Sequence, residues 1–315
     1  MSTAAQPSRA DAFRHEALLY AGHDDFVRST APFIREGVRA GEPTLVVVAR
    51  AKLDSLRDEL GDDAAGVLFA DMADVGANPG RIIPAWQDFV DAHPASPRLR
   101  GIGEPVWAER DPVTLLECQR HETLLNVAFA DGRSWWLLCP YDTATLDSAV
   151  IADAERSHPW VRESGLARSS ASFGGVHAFS TLDAPLDPAP ATARSLAFGW
   201  GSLRELRSIA AMEAARAGML SARIADLVLA VNEVATNSLG HGGGGGRLRI
   251  WRGAGGVVCE VSDTGRLDRP LVDRRRPGAD AGDSRGLWLA NQLCDLVQLR
   301  SSAAGTIVRL HMQGA

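Results

Sequence analysis

A proline-broken stretch near the middle of the chain, Leu182-Asp-Ala-Pro-Leu-Asp-Pro-Ala-Pro-Ala-Thr192, most constrains what this sequence can fold into. Each proline lacks a backbone donor and holds its predecessor out of the helical region, so no long helix crosses the segment. From about Ser164 to Ser195 the hydrophobic periodicity lapses altogether, apart from a strand-like run at Phe173–Leu182, and the flanks carry different patterns. Two domains are expected, over residues 1–165 and 195–315, with a linker region over 166–194. With 315 residues, each half is long enough to bury its own core without disulfide or metal staples.

Before the break, short and continuously apolar runs such as Leu45–Ala49, Val67–Ala70 and Ser134–Cys139 alternate with helical segments at Phe26–Ala40, Leu53–Leu60, Ile82–Ala92 and Leu115–Ala130. Strands apolar on both faces and separated by helices predict a mainly parallel sheet in an α/β domain. After the break, helices near Leu203–Ala217 and Ser221–Leu239 precede strands near 248–251 and 257–262. A helix over Leu287–Cys294 and two strands, near 296–300 and 306–312, complete the pattern. Strands adjacent in sequence pair antiparallel, with their helices on one side, which predicts a two-layer α/β sandwich.

Charge and residue choice exclude several functions. Thirty-three basic against 39 acidic residues leave a net charge of −6, with no general positive field for DNA or an anionic membrane. The only lysine, Lys52, lies in Ala-Lys-Leu-Asp-Ser, away from any Gly-x-x-x-x-Gly-Lys loop, which excludes a P-loop phosphate site. Asp71 follows Val67-Leu-Phe-Ala as a magnesium-binding acid does in RecA-like domains, and without that loop the reading is of a degenerate fold. Cys118, Cys139, Cys259 and Cys294 are far apart, with no spacing that builds a zinc site in sequence, and read as buried reduced thiols. The N-terminal residues lack a signal-peptide core and no apolar run reaches membrane-spanning length, so a cytoplasmic protein is expected.

The chemistry concentrates in the second half. On the helix containing Val231-Asn-Glu-Val-Ala-Thr-Asn-Ser-Leu-Gly-His241, a core-facing stripe of Ile224, Leu227, Val231 and Val234 leaves Glu233, Asn237 and His241 as i, i+4 neighbours. At about 100° per residue they occupy about 80° of arc. A carboxylate there suits proton acceptance and an amide oxygen suits a hard divalent cation, although a solvated helix face is the commoner reading of such a stripe alone. An apolar strand then ends in Asp263-Thr-Gly265, where a carboxylate can accept from an exocyclic amine and glycine admits a flat ring. About twenty residues rich in Arg, Pro, Asp and Gly predict a mobile loop ending at Gly282-Asp-Ser-Arg-Gly286-Leu-Trp-Leu, where glycine before a helix would expose N–H groups to phosphate.

In this order, Glu-x-x-x-Asn, Asp-x-Gly, a variable lid, Arg-Gly-Leu-x-Leu and Gly305-Thr306 resemble the N, G1 and G2 boxes and terminal Gly-Thr of the GHKL ATPase superfamily. The segment is most similar to the anti-sigma factor serine kinases, which also show Glu-x-x-x-Asn-x-x-x-His. The resemblance covers about Ser195–Met312 and implies ATP and Mg²⁺ as cofactors, with Glu233 as general base and Asn237 as magnesium ligand. It implies that Asp263 recognises adenine, with Gly265, Arg285, Gly286, Leu287 and Thr306 lining the nucleotide. Five glycines, Gly242–Gly246, depart from the more structured turn of the family, and Gly-Asp-Ser replaces its frequent Gly-Gly before Arg285.

The first half resembles the MEDS sensory domain of actinobacterial regulators over roughly Phe13–Trp160. The matching stretches include His15-Glu-Ala-Leu-Leu-Tyr, Gly101-Ile-Gly-Glu-Pro-Val-Trp, Cys118-Gln-Arg-His-Glu-Thr-Leu-Leu-Asn and Leu138-Cys-Pro-Tyr-Asp. His15, His121 and His158 are candidates for a sensor ligand or metal, with core histidines as the alternative. Together the halves imply an anti-sigma regulatory protein that holds a sigma factor, phosphorylates a serine or threonine of a STAS-type anti-anti-sigma partner, and forms a homodimer. Two other readings remain open: a non-catalytic module that sequesters partners, and a histidine-kinase-like sensor. The last lacks a dimerising hairpin with an acceptor histidine, and His177 lies in a strand-like segment.

Overall fold

The computed structural model describes residues 13–130, 132–175, 184–253, 255–267, 269–276 and 285–314. The chain divides into two compact units, residues 1–182 and 183–315. The first is built on a seven-stranded sheet of order β3-β2-β4-β5-β1-β6-β7. In chain order its elements are β1 (Arg14–Tyr20), α1 (His23–Arg39), β2 (Thr44–Val48), α2 (Arg50–Leu60), β3 (Val67–Asp71) and a single turn α3 (Met72–Val75). They continue with α4 (Ile82–Asp91), β4 (Leu99–Gly103), α5 (Pro112–Ala128), β5 (Trp135–Asp142), α6 (Ser148–Ser157), β6 (Trp160–Glu163) and β7 (Leu166–Ser169). Strands β1 to β6 pair in parallel, and β7 alone runs antiparallel, against β6.

The parallel arrangement follows from β2, whose Thr-Leu-Val-Val-Val run has helices on both sides and buries almost every side chain. The sheet's alternation sends Leu18, Leu138 and Ile102 into a core with Phe26 and Ile34 of α1, while His15, Leu137 and Cys139 face α5. α5 starts cleanly, with Asp111 accepting from Thr114 N–H at 2.9 Å and Pro112 in the first turn. Unusually for a helix, α5 buries Glu117, Arg120, His121 and Glu122 in succession with its apolar residues. Asp71 is spent locally: one oxygen accepts from Ala73 N–H at the start of α3 and the other from Arg50. At the carboxyl ends of β1 and β4, Lys52 Nζ lies 2.6 Å from both oxygens of the buried Glu104 and from Tyr20 Oη.

The second unit is a five-stranded antiparallel sheet, order β11-β12-β10-β9-β8, with helices on one face. Its elements are β8 (Arg194–Phe198), α7 (Leu203–Arg216), α8 (Ser221–His241), β9 (Gly246–Gly253), β10 (Gly256–Asp263), α9 (Arg285–Leu293), β11 (Leu296–Ser302) and β12 (Gly305–Gln313). Leu227, Val231 and Val234 of α8 pack with Ile250, Cys259 and Leu310 in one apolar layer, and Ile224 lies at its margin. The other sheet face carries buried polar groups. Glu260 stands opposite Arg249 and Arg309 in register and pairs with both, at 2.9 and 2.6 Å.

Three sequence expectations change. The linker expected over 166–194 contains β7 at its start. Its proline-rich part belongs to the second unit, where Arg300 and Arg309 donate to the carbonyls of Ala184 and Asp187 on the polar sheet face. The mobile loop is anchored in its first half: Leu271, Asp273 and Arg274 are buried, and Asn291 of α9 donates to the Asp273 carbonyl at 2.9 Å. Helix α9 is described from Arg285 onward, so Gly286 lies within the helix rather than ahead of it. The strand expected over Phe173–Leu182, with His177, falls largely outside the described residues, as does Gly282-Asp-Ser. Among the described residues no helix is long and apolar enough to cross a membrane.

Candidate functional site

Asp263 closes β10 at the end that abuts the last turn of α8. One oxygen accepts from Ser238 Oγ of that helix at 2.6 Å and the other from Gly265 N–H at 2.8 Å, so the carboxylate is fixed while keeping lone pairs for a further donor. Its seat depends on missing side chains. A Cβ on Gly265 would meet Gly242 Cα at 2.6 Å, and one on Gly242 would collide with the Asp263 carboxyl itself. Thr306, paired with Asp263 across the β10–β12 ladder, donates to the Gly265 carbonyl at 2.9 Å and lies 2.9 Å from Ser301 Oγ. The Asp-x-Gly turn is thus held from both sides.

Ser238, Asp263, Gly265 and Thr306 line a cavity of about 380 Å³ between α8, the ends of β10 and β12, and the loop after Gly265. Val234, Leu267, Val272, Leu287 and Val308 supply apolar walls, and Asp263, Asn237, His241 and Arg266 supply the polar groups. An apolar slot with a fixed carboxylate at its base fits a planar heterocycle with an exocyclic amine.

Of the positions singled out from sequence, Asn237, Asp263, Gly265, Leu287 and Thr306 share this cavity wall. Gly286 lies beside it: a Cβ there would come within 2.9 Å of Asn237 Nδ2 and 3.3 Å of Glu233 Cβ, so the glycine lets α9 close on α8 at those two residues. Arg285 is exposed at the head of α9. Glu233 lies one turn before Asn237, outside the cavity wall, with an oxygen 3.4 Å from Asn232 Nδ2. A single amide oxygen at Asn237 is a fit ligand for Mg²⁺, which takes most of its shell from phosphates and water. Ser238, Leu267 and Val272 escaped the sequence reading, and Gly242 entered it only as part of the glycine run. Ser238 was within reach of it, as a small polar residue on the buried side of a helix that otherwise buries only apolar groups.

In the first unit, His15 and His158 converge, with ring centroids 4.0 Å apart, but their companions are Glu122 and Cys139 rather than His121. The ligand atoms of His15, Glu122, Cys139 and His158 all lie within 4.8 Å of one another and are fully buried. His121 is also buried but, one helical position from Glu122, it is directed about 100° away. Burial, and then the adjacent His158, lowers His15 to about 4, and burial raises the Cys139 thiol well above its usual range.

Among the described residues, an antiparallel sheet under three helices, with a carboxylate-lined cavity beside the longest of them, has the architecture of a nucleotide-binding domain, here preceded by a parallel-sheet domain with a buried polar centre. Residues 14–159 match the family model described as MEDS, the methanogen/methylotroph, DcmR sensory domain, and residues 200–312 match the histidine kinase-like ATPase domain. The chain is a MEDS domain fused to a histidine-kinase-like ATPase domain. Among solved structures it is similar to the crystal structure of the RsbU and RsbW domains of a Mycobacterium tuberculosis protein, with 22% identity and a TM-score of 0.30. That similarity covers 39% of this chain and 33% of the other, so the chain spans about a third of that protein's length. No curated protein matches it.

Proposed function

We propose that the second domain binds ATP with Mg²⁺ and transfers phosphate to a serine or threonine of a STAS-type anti-anti-sigma protein. In this reading it also holds a sigma factor, under the control of the first domain. The observation that carries the nucleotide reading is the Asp263 carboxylate, fixed by Ser238 and Gly265 at the floor of an apolar cavity that also receives Asn237. Asp263 would accept from the base amine, and Val234, Leu287 and Val308 would cover its faces. The nucleotide supplies the phosphoryl group and Mg²⁺ the charge that neutralises it. Asn237 would ligate the cation, the first-turn N–H groups of α9 and Arg285 would receive developing negative charge, and Glu233 would accept the hydroxyl proton. A newly phosphorylated partner carries added negative charge, which favours its release and leaves the sigma factor held.

A second reading, sequestration of partners without phosphotransfer, draws on the placement of Glu233 outside the cavity wall. The full chain incubated with labelled ATP, Mg²⁺ and a panel of STAS-type proteins is expected to yield acid-stable phosphoserine or phosphothreonine. With Glu233→Ala, transfer should fall by at least about a hundredfold while nucleotide affinity is kept. Unchanged partner capture with no transfer by either protein selects the second reading.

A further inference from the structure

Among the described residues, one close set of ligating groups lies outside the proposed nucleotide site. β1, β5, α5 and the residue after α6 each deliver one donor to a single buried point: His15, Cys139, Glu122 and His158. The tautomers can be assigned from the hydrogen bonds around them. Asn126 uses its amide nitrogen on the Ser157 carbonyl at 2.7 Å, so its oxygen faces His15 Nδ1 at 3.1 Å and takes that proton. His158 Nδ1 gives its proton to the Ala154 carbonyl at 2.8 Å. Both Nε2 atoms are then left with lone pairs, and both point at Glu122 Oε2, at 3.1 and 3.4 Å. Cys139 Sγ lies 3.4 Å from His15 Nε2. His158 Nε2 and Glu122 Oε1 are buried without a hydrogen-bond partner. Electron pairs from four elements thus meet in an interior that water does not reach, an arrangement that needs a cation at its centre.

We infer that His15, Glu122, Cys139 and His158 are the ligands of a divalent transition-metal ion of the zinc class. Bonds of about 2.0–2.3 Å around a tetrahedral ion put neighbouring ligand atoms about 3.3–3.7 Å apart, close to the spacings already present. Two neutral imidazoles, one carboxylate and one thiolate balance a divalent charge, so the loaded site is neutral, as a buried site must be. The Cys139 thiol gives its proton to solvent as the sulfur bond forms. The Asn126 amide and the Ala154 carbonyl hold the two rings in the ligating orientation, as outer-shell partners do in known sites. A thiolate with two imidazoles favours zinc over the oxygen-seeking magnesium and calcium. The ion would fasten α5 and the start of β6 to the central strands, giving the sensory domain a centre that answers to metal supply.

The test uses the full chain, stripped with a chelator and titrated with Co²⁺ and with Zn²⁺. One equivalent of cobalt per chain is expected to develop the visible bands of a tetrahedral ion and a sulfur-to-cobalt charge-transfer band, and one equivalent of zinc should bleach both. Cys139→Ser should lose the charge-transfer band, whereas Cys294→Ser, in the other domain, should keep it. As a check independent of variant folding, zinc should raise the melting transition of the first unit in the wild-type chain and EDTA should lower it. The inference is overturned if the folded chain takes up no cobalt, if its spectrum shows only octahedral oxygen ligation, or if a folded Cys139→Ser protein keeps the sulfur band.

Discussion

Asp263 receives two hydrogen bonds from its own domain and keeps lone pairs for a further donor, and the nucleotide reading depends on them. Replacing Asp263 with Asn puts an amide where Ser238 Oγ or the base amine must donate. A hydrogen bond to a charged group contributes about 1.5–3 kcal/mol, so Asp263→Asn should weaken ATP binding by about 10- to 100-fold in calorimetry, with the melting temperature little changed. Affinity within threefold of wild type would remove Asp263 from the site. The identity of this aspartate was legible because an isolated carboxylate ended an apolar strand two residues before a glycine. Its fixation was not, because Ser238 reaches it from a helix 25 residues away in sequence while Gly242 just past that helix leaves it room, and no local spacing records that approach. The same reason explains the buried quartet of the first domain. Histidines were visible as candidates, yet Glu122 and Cys139 carry no local signature, since their meeting is arranged by strand order.

Elements with one continuous pattern were legible to within a few residues: β2 and β3 by their apolar runs, α7 and α8 by their helical stripes. Those that escaped had their pattern broken by neighbours. β4 reads Leu-Arg-Gly-Ile-Gly because the Trp86 ring lies against it, where a Cβ on Gly101 would come within 2.9 Å of the ring. β7 is exposed at every residue, so nothing apolar announces it. The outer face of the second sheet was hidden for another reason, since its burial is ionic. Glu260 is 3% exposed and is held by Arg309 through both Nε and Nη2. Removing a partner from a buried pair leaves an uncompensated charge, so Arg309→Met should destabilise the second unit by about 3 kcal/mol in urea unfolding. The double variant Glu260→Leu with Arg309→Met should recover at least half of that loss. A single variant as stable as wild type would show that Arg249 alone satisfies the carboxylate.

At the scale of the molecule, the prolines mark a break in the pattern, and the two units divide between Leu182 and Asp183, inside the stretch read as linker. Residues 184–187 read as linker, yet their carbonyls satisfy Arg300 and Arg309, two arginines that are otherwise buried in the sheet. A fragment starting at Asp183 should therefore be more stable than one starting at Ser195, by about 1–3 kcal/mol in chemical denaturation. Equal stability would make the strap incidental. The lone lysine carries a practical consequence. An amine-directed acylating reagent finds one side-chain target in the whole protein, Lys52, gripped by Glu104 and Tyr20 inside the first unit. Its acylation rate is a clock for the loosening of that unit, since the second unit offers the reagent no lysine side chain.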